Sequence, residues 1–331
     1  MHPLTTPLVT GGTGLIGHHI VQALRTRGLT PRVLTREARR ARDLYGDAVD
    51  IRTGDVTDPD SLRAAMAGAD TVFHAAGPPE QWLRDPSVFE RVHGDGTRHV
   101  VEAARHQGVR RLVLTSTIDV FDAPPGARID ETVIATHPKG TPYERAKQRA
   151  DAIVAQAVAE GMDAVFVHPC AVYGPGPARS RGINDFVRDL DAGKIPALLP
   201  GGLPVVFAAD VGEAHVRAAE RGARGERFIV AERYLTLREL AVAANTALGR
   251  KRVPPVVPMP VARAMSAATE AWARLSGTPP LVPAGQLHFL QWGVRPDATR
   301  ARERLGMRFT PLDEGLQALV RWLRTNPPRP T

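Results

Sequence analysis

The first half of the chain alternates between two kinds of segment. Short runs rich in apolar and β-branched residues stand at Pro7 to Thr10, Arg32 to Thr35, Val49 to Arg52, Thr71 to His74, Arg111 to Thr115 and Ala164 to His168. Between them, apolar residues recur at helical spacing. Leu15, Ile16, Ile20, Val21 and Leu24 form one stripe, Leu62, Ala65 and Met66 another, and Val100, Val101, Ala104 and Val109 a third. A helix between two strands carries the chain back across the sheet, so the next strand is laid down parallel to the last. The alternation therefore predicts an α/β fold: a doubly wound, Rossmann-like parallel sheet with helices on both faces.

The texture changes after residue 170. Proline and glycine cluster in YGPGPARSRG, IPALLPGGLP and VPPVVPMP, and strand-like runs thin out. No long polar tract separates the halves, so the change marks a smaller C-terminal α/β lobe rather than a tethered domain. The expected division is a sheet domain over residues 1–170 and 205–232, with the lobe over residues 171–204 and 233–325.

Gly11, Gly14 and Gly17 stand three apart in LVTGGTGLIG, at the junction of the first strand and first helix. A glycine triplet alone is weak, but a strand-to-helix turn is the setting in which it cradles a dinucleotide pyrophosphate. Gly11 suits the tight turn, Gly14 a close approach of the phosphates, and Gly17 close packing of helix on strand. Thr13, Leu15 and Ile16 complete the cradle, where unpaired N–H groups and the positive helix end attract anions. Counting on from Gly17, the place of the usual ribose-binding acid falls on Thr35, and Arg36 follows. A guanidinium in place of a carboxylate favours NADP over NAD. Asp55 and Val56, after the third strand, are placed for the adenine edge; Asp55 equally suits a helix cap.

Tyr143 and Lys147 lie four apart in TPYERAKQRADAIVAQAVAEG, which reads as a helix, so they share a face. A phenol with pKa near 10 is a poor acid–base group at neutral pH, and a neighbouring ammonium lowers it. LTST places Ser116 and Thr117 at the carboxyl end of the fifth strand, where open α/β sheets bind ligands.

The net charge of +8 comes from 43 basic and 35 acidic residues scattered along the chain. Without a basic run or aromatic-interleaved patch, this argues against nucleic acid and suits an anionic small molecule. One cysteine, Cys170, excludes an intramolecular disulfide. No stretch has the length of an apolar membrane span, and the first residues lack a signal core, so a cytoplasmic protein is expected. Adjacent His18 and His19 project to different sides of a helix, and no cluster has metal-ligand spacing, so no metal is expected.

Together TGGTGLIG, GDV, HAAG, LTST, YERAK and HPCAVYGPG resemble the extended short-chain dehydrogenase/reductases, which include nucleotide-sugar epimerases and dehydratases, dihydroflavonol reductases and 3β-hydroxysteroid dehydrogenases. FAADVGEAHVRAAERG looks like the family's return to the cofactor domain, and RPDATRARERLGMRFTPLDEGLQALVRWLR like its C-terminal signature. The resemblance implies Tyr143 as acid–base residue, Lys147 as holder of the nicotinamide ribose, and Thr117 rather than Ser116 as catalytic hydroxyl. It places His74, Ala75, Ala76 and Gly77 along the cofactor and Pro169, Cys170 and Ala171 beside the nicotinamide. It also implies a homodimer through the helices around Val100 and Tyr143.

Four departures from the family pattern matter. His93 replaces the Asn of an Asn-Val-x-Gly-Thr run, and His168-Pro169 replaces Arg-Pro. Ala171 stands where an Asn often contacts a nucleotide-sugar phosphate, and Leu203 to Val206 where an Arg often grips it. The expectation is therefore NADP(H)-dependent reduction of an apolar ketone or aldehyde, or the reverse oxidation. The rivals are an NAD-dependent nucleotide-sugar epimerase or dehydratase, with Asp119 as a candidate dehydratase carboxylate, and an NADP-binding redox sensor without turnover.

Overall fold

The computed structural model describes residues 4–78, 82–177 and 182–326. The chain opens with β1 (Pro7–Thr10), α1 (Leu15–Arg25), β2 (Arg32–Thr35), α2 (Ala38–Tyr45), β3 (Asp50–Thr53), α3 (Pro59–Met66) and β4 (Thr71–His74). A short turn, α4 (Ser87–Phe89), runs through a π-helical stretch, Glu90–Asp95, into α5 (Gly96–His106). Then come β5 (Arg111–Thr115), β6 (Arg128–Ile129), α6 (Pro142–Ala159), β7 (Ala164–Pro169), β8 (Ala171–Tyr173), α7 (Ile183–Asp191) and β9 (Gly202–Phe207). The last stretch is α8 (Ala208–Arg221), β10 (Arg227–Val230), β11 (Arg233–Thr236), α9 (Leu237–Leu248), α10 (Met259–Ser276), α11 (Ala284–Trp292), β12 (Arg295–Pro296), α12 (Thr299–Arg304) and α13 (Leu312–Thr325).

Seven strands form one sheet in the order β3-β2-β1-β4-β5-β7-β10, every pair parallel. The order reverses at β1, which lies between β2 and β4, so the ligand crevice of the fold opens at the carboxyl ends of those strands. The six expected strands are all present; the third begins one residue later than expected, at Asp50, and β10 is the seventh.

Both faces of the sheet are covered. Ile20, Val21 and Leu24 of α1 are fully buried on one face, and Leu62, Met66, Val100 and Ala104 on the other. Each large aliphatic side chain among them contributes about 1.5–3 kcal/mol of burial. α1 also packs against α8 at backbone distance: a Cβ at Gly212 would stand 2.4 Å from the carbonyl carbon of His19. Arg111, buried at the start of β5, pairs with Asp163 and donates to the Ala219 and Gly222 carbonyls at the end of α8. That charge at a helix C-terminus fixes α8 to the sheet.

The lobe is built on a three-stranded sheet, β11-β9-β8, with its own core of Leu190, Leu203, Leu235, Leu240, Leu316 and Leu319. The chain leaves the main sheet after Pro169, enters α8 at Ala208 and rejoins the sheet with β10 at Arg227. Val205 to Phe207 pair with β8 in the three-stranded sheet. β12 pairs with β6 in a small separate sheet.

Candidate active site

The glycine loop is shaped by backbone contact. Gly11 has φ +71°, and a Cβ there would lie 2.7 Å from the Ala75 carbonyl oxygen and the Ala76 backbone. A Cβ on Gly17 would stand 2.2 Å from the Gly11 oxygen. The Gly14 N–H donates to the Gly11 carbonyl at 2.9 Å, which closes the turn ahead of α1. α1 has Gly14 as its N-cap, no side-chain cap and no acidic residue in its first turn. The N–H groups of Leu15, Ile16 and Gly17 are those a helix leaves without intrahelical acceptors. A helix start of this kind, uncapped and free of carboxylates, fits the pyrophosphate of a dinucleotide.

What holds this loop carries no local signal in the sequence. Tyr45, at the end of α2, donates its hydroxyl hydrogen to the Gly12 carbonyl and meets His18 Nδ1 at 3.0 Å. Gly12 itself is confined by Val33, whose Cγ1 would lie 2.7 Å from an added Cβ.

Arg36 is 75% exposed beyond β2, with its Nε 3.7 Å from Asp55 Oδ2. The two expected recognition residues thus face one another. Asp55 does not cap α3: its Oδ1 accepts from the Thr57 N–H and hydroxyl, and Asp58 provides the cap. Val56 is buried against Gly96, at the start of α5.

The chemistry-bearing residues meet at the end of β5. Thr141 and Glu144 form a capping box, with Pro142 opening α6, so Tyr143 sits in the first turn and Lys147 one turn on. The side chains of LTST alternate. Ser116 turns toward Asp151, donating to Oδ2 at 2.6 Å, while Thr117 turns toward the Tyr143 hydroxyl. Lys147 is buried, and its Nζ donates to the Thr115 carbonyl at 2.6 Å. Burial lowers its pKa to about 8.

The expected lowering of the Tyr143 pKa by Lys147 is not met in this geometry. Loss of hydration and the Asp119 carboxyl push the phenol above its ordinary range, while the ammonium is tied to the Thr115 carbonyl. The phenol therefore holds its proton, the form needed to donate one.

Asp119 has a larger part here than the sequence showed. It is 3% exposed, accepts from the Thr117 hydroxyl at 3.0 Å, and leaves Oδ1 without a partner. Burial, then the Glu144 carboxylate, raise its pKa to about 7.

His93, in place of the family Asn, packs edge-on to the Tyr143 ring at 5.7 Å between centroids. Its Nε2 lies 3.2 Å from the Pro78 carbonyl, and a Cβ on Gly77 would stand 2.0 Å from its ring. Gly77, with φ +154°, is thus required by the histidine, which is itself held neutral by burial. His74 bridges the Thr10 and Thr97 hydroxyls. Ala75 and Ala76 donate to the Thr10 carbonyl and hydroxyl, which sets them against Gly11.

On the far side, Pro169 ends β7 and Ala171 begins β8. His168 lies 3.1 Å from the Thr117 carbonyl through Nδ1 and accepts from Arg227 through Nε2. Cys170 is buried, with its thiol pushed up by burial. Leu203, Val205 and Val206 are buried strand residues, Leu203 and Val205 in the core of the lobe and Val206 in that of the main sheet, so no arginine side chain stands at these positions. His18 and His19 go to separate partners, Tyr45 and the Pro175 carbonyl. Among the described residues, no three histidine, cysteine or acidic side chains group as metal ligands, and no helix is long and apolar enough to cross a membrane.

The family model of the NAD dependent epimerase/dehydratase family matches residues 7–231. Sterol demethylase protein B of Methylococcus capsulatus is 29% identical over 96% of this chain and 98% of its own. A putative dihydroflavonol 4-reductase of Synechocystis is 27% identical over 96% of this chain and 94% of its own. The UDP-glucose 4-epimerase of Thermus thermophilus, solved with NAD, superposes with a TM-score of 0.76 at 26% identity, over 97% of this chain and 99% of its own. Glycine cradle, seven-stranded parallel sheet and relatives named as reductases coincide in one assignment: the chain belongs to the NAD-dependent epimerase/dehydratase family and is an oxidoreductase of the extended short-chain dehydrogenase/reductase type.

Proposed function

We propose that this enzyme reduces an apolar ketone or aldehyde with NADPH, or runs the reverse oxidation, through Thr117, Tyr143 and Lys147. The observation that carries the reading is the meeting of the Thr117 and Tyr143 hydroxyls at the end of β5, on the side of the sheet that bears the glycine cradle. When bound, the nicotinamide supplies the hydride. Gly11, Thr13, Gly14, Leu15, Ile16 and Gly17 hold its pyrophosphate, and Arg36 its 2′-phosphate. Asp55 and Val56 would meet the adenine, Ala75, Ala76 and Gly77 would line the cofactor after β4, and Pro169 and Ala171 would pass beside the nicotinamide.

Tyr143 donates its proton to the carbonyl oxygen as that oxygen gains charge. Thr117 holds the same oxygen, and the work of both is placement and charge stabilisation. Lys147 keeps its ammonium against the Thr115 carbonyl and beside the ribose position. The lack of any cationic or amide side chain at Leu203, Val205 and Val206, and at Ala171 paired beside Val205, supports a substrate without a diphosphate, because an anion left unpartnered there is costly. Arg179 and Arg181, which would be the alternative source of positive charge, lie outside the described residues.

The test is NADPH oxidation with a panel of flat apolar ketones and aldehydes, beside calorimetry with UDP and dTDP at saturating cofactor. The expected result is turnover of the carbonyl compounds, weak nucleotide binding, and a loss of about 10²- to 10⁴-fold in turnover for Tyr143→Phe with NADPH affinity unchanged. Micromolar UDP or dTDP binding, lost on Arg179→Ala or Arg181→Ala, would assign the site to nucleotide sugars. Unchanged turnover in Tyr143→Phe removes that residue from the mechanism.

A further inference from the structure

We propose that α10, with the segment up to Leu281, docks the enzyme on an anionic lipid surface. Among the described residues seven large apolar side chains are exposed, and five of them, Val256, Val261, Trp272, Leu275 and Leu281, fall within residues 256–281. Trp272, Leu275 and Leu281 are 66%, 83% and 74% exposed. α10 buries only Ala262, Ser266 and Ala273, a narrow seam against its own lobe. Its outer side presents Val261, Ala264, Ala268, Ala271, Trp272 and Leu275 in one apolar band. A patch of that kind on a surface helix marks an interaction site.

Charge selects the partner. From Arg250 to Val294 the chain carries five lysine and arginine residues, Arg250, Lys251, Arg252, Arg263 and Arg274, of which Arg250 pairs with Asp191, and one acid, Glu270. Glu270 is already engaged, accepting from the Ala284 N–H at 2.8 Å. The Arg84 guanidinium adds a further positive group beside Gly277, at the end of α10. Arginines flanking a tryptophan–leucine band match an interfacial helix, whose rings and aliphatic chains enter the headgroup boundary while guanidinium groups meet lipid phosphates. A second copy of this chain fits poorly. A two-fold contact sets a patch against itself, and here that would bring basic groups against basic groups.

The location serves the site. α10 packs on α11, whose His288 Nε2 stands 3.8 Å from Glu144, the neighbour of Tyr143. A lipid-bound α10 would hold the mouth of the site beside the bilayer, where an apolar carbonyl compound partitions. The docking rests on the helix surface and not on the assignment of the reaction.

The experiment is flotation of the full-length protein with phosphatidylcholine vesicles, with and without phosphatidylglycerol, at low and high salt. Trp272→Glu/Leu275→Glu is compared with wild type, and thermal unfolding together with NADPH binding verifies that the variant is folded. The expected result is flotation with the anionic vesicles, weakened by salt and reduced more than about tenfold in the double variant. Absence of flotation with anionic vesicles overturns the proposal, as does flotation unchanged in the variant. A concentration-dependent dimer abolished by the same substitutions, without vesicle binding, reassigns the band to self-association.

Discussion

Asp119 offers a quantitative test of how the site handles charge. Its carboxyl is buried, raised from 3.8 to about 7, and has one oxygen without a partner. An acid raised in the folded state contributes stability that is fully present below its unfolded pKa and lost as pH climbs through the folded value. Here the window runs from about pH 4 to about pH 7. A shift of roughly three units at 1.36 kcal/mol each gives a loss of about 4 kcal/mol across it. Asp119→Asn keeps the shape and stays neutral, so it does not suffer that loss. The assay is urea unfolding of both proteins from about pH 5 to about pH 8.5, read as the difference between them. The difference matters because buried His74 and His168, lowered to about 3 and about 4, bring an opposite dependence that is lost as pH falls. Taking the difference cancels it. The expected trend is a variant that gains on wild type by about 2–3 kcal/mol across that range, which covers about two of the three units of the window. Turnover adds a second reading. A protonated Asp119 can donate to Thr117 and release the threonine hydrogen for substrate, and the amide introduced by Asp119→Asn can donate at every pH. Wild-type kcat/KM is therefore expected to fall through about pH 7, and the variant's to stay level. A stability difference that is flat with pH would refute the reasoning.

Three further outcomes are expected. Arg36→Ala weakens NADPH about tenfold and leaves NADH unchanged, as a charge-assisted contact on an exposed arm predicts; fluorescence titration with both cofactors checks this. Gly17→Ala drives a Cβ to 2.2 Å from the Gly11 carbonyl oxygen, where neither backbone can yield, so it costs about 1–3 kcal/mol in urea unfolding and weakens cofactor binding through the displaced loop. Asp151→Ala leaves the largely buried Arg227 without its partner and Ser116 without its acceptor; a loss of about 3–5 kcal/mol is expected in the same unfolding assay.

The main sheet was legible because each strand is a short apolar run and each helix a periodic one. Pro7–Thr10, Arg32–Thr35, Thr71–His74 and Arg111–Thr115 stand where those runs lie. The lobe was not legible in the same way. β8 has three residues, and β9 carries Pro204, yet Pro204 lies opposite Tyr234 in a ladder set by distant partners. The same division holds at the site. The Tyr143 and Lys147 spacing is local and could be read from the helix. The tie of Lys147 to Thr115, the charge that Glu144 imposes on Asp119 and the grip of Tyr45 on Gly12 depend on residues 32, 25 and 33 positions apart, which meet only once the sheet is assembled.

The insertion of the lobe between β7 and β10 has a consequence for the order in which this protein is made. A nascent chain that has emerged as far as Pro169 already owns six strands of the main sheet. Its outermost strand, β7, is then an open edge of six residues that are all buried in the finished protein. The strand that covers it, β10, follows only after the whole of the lobe's first half has been synthesised. Arg227 arrives with it, and until then Asp151 waits inside the protein with Ser116 but without its guanidinium. The interval between those two strands on the ribosome is thus the time when this fold is most open to pairing with another chain.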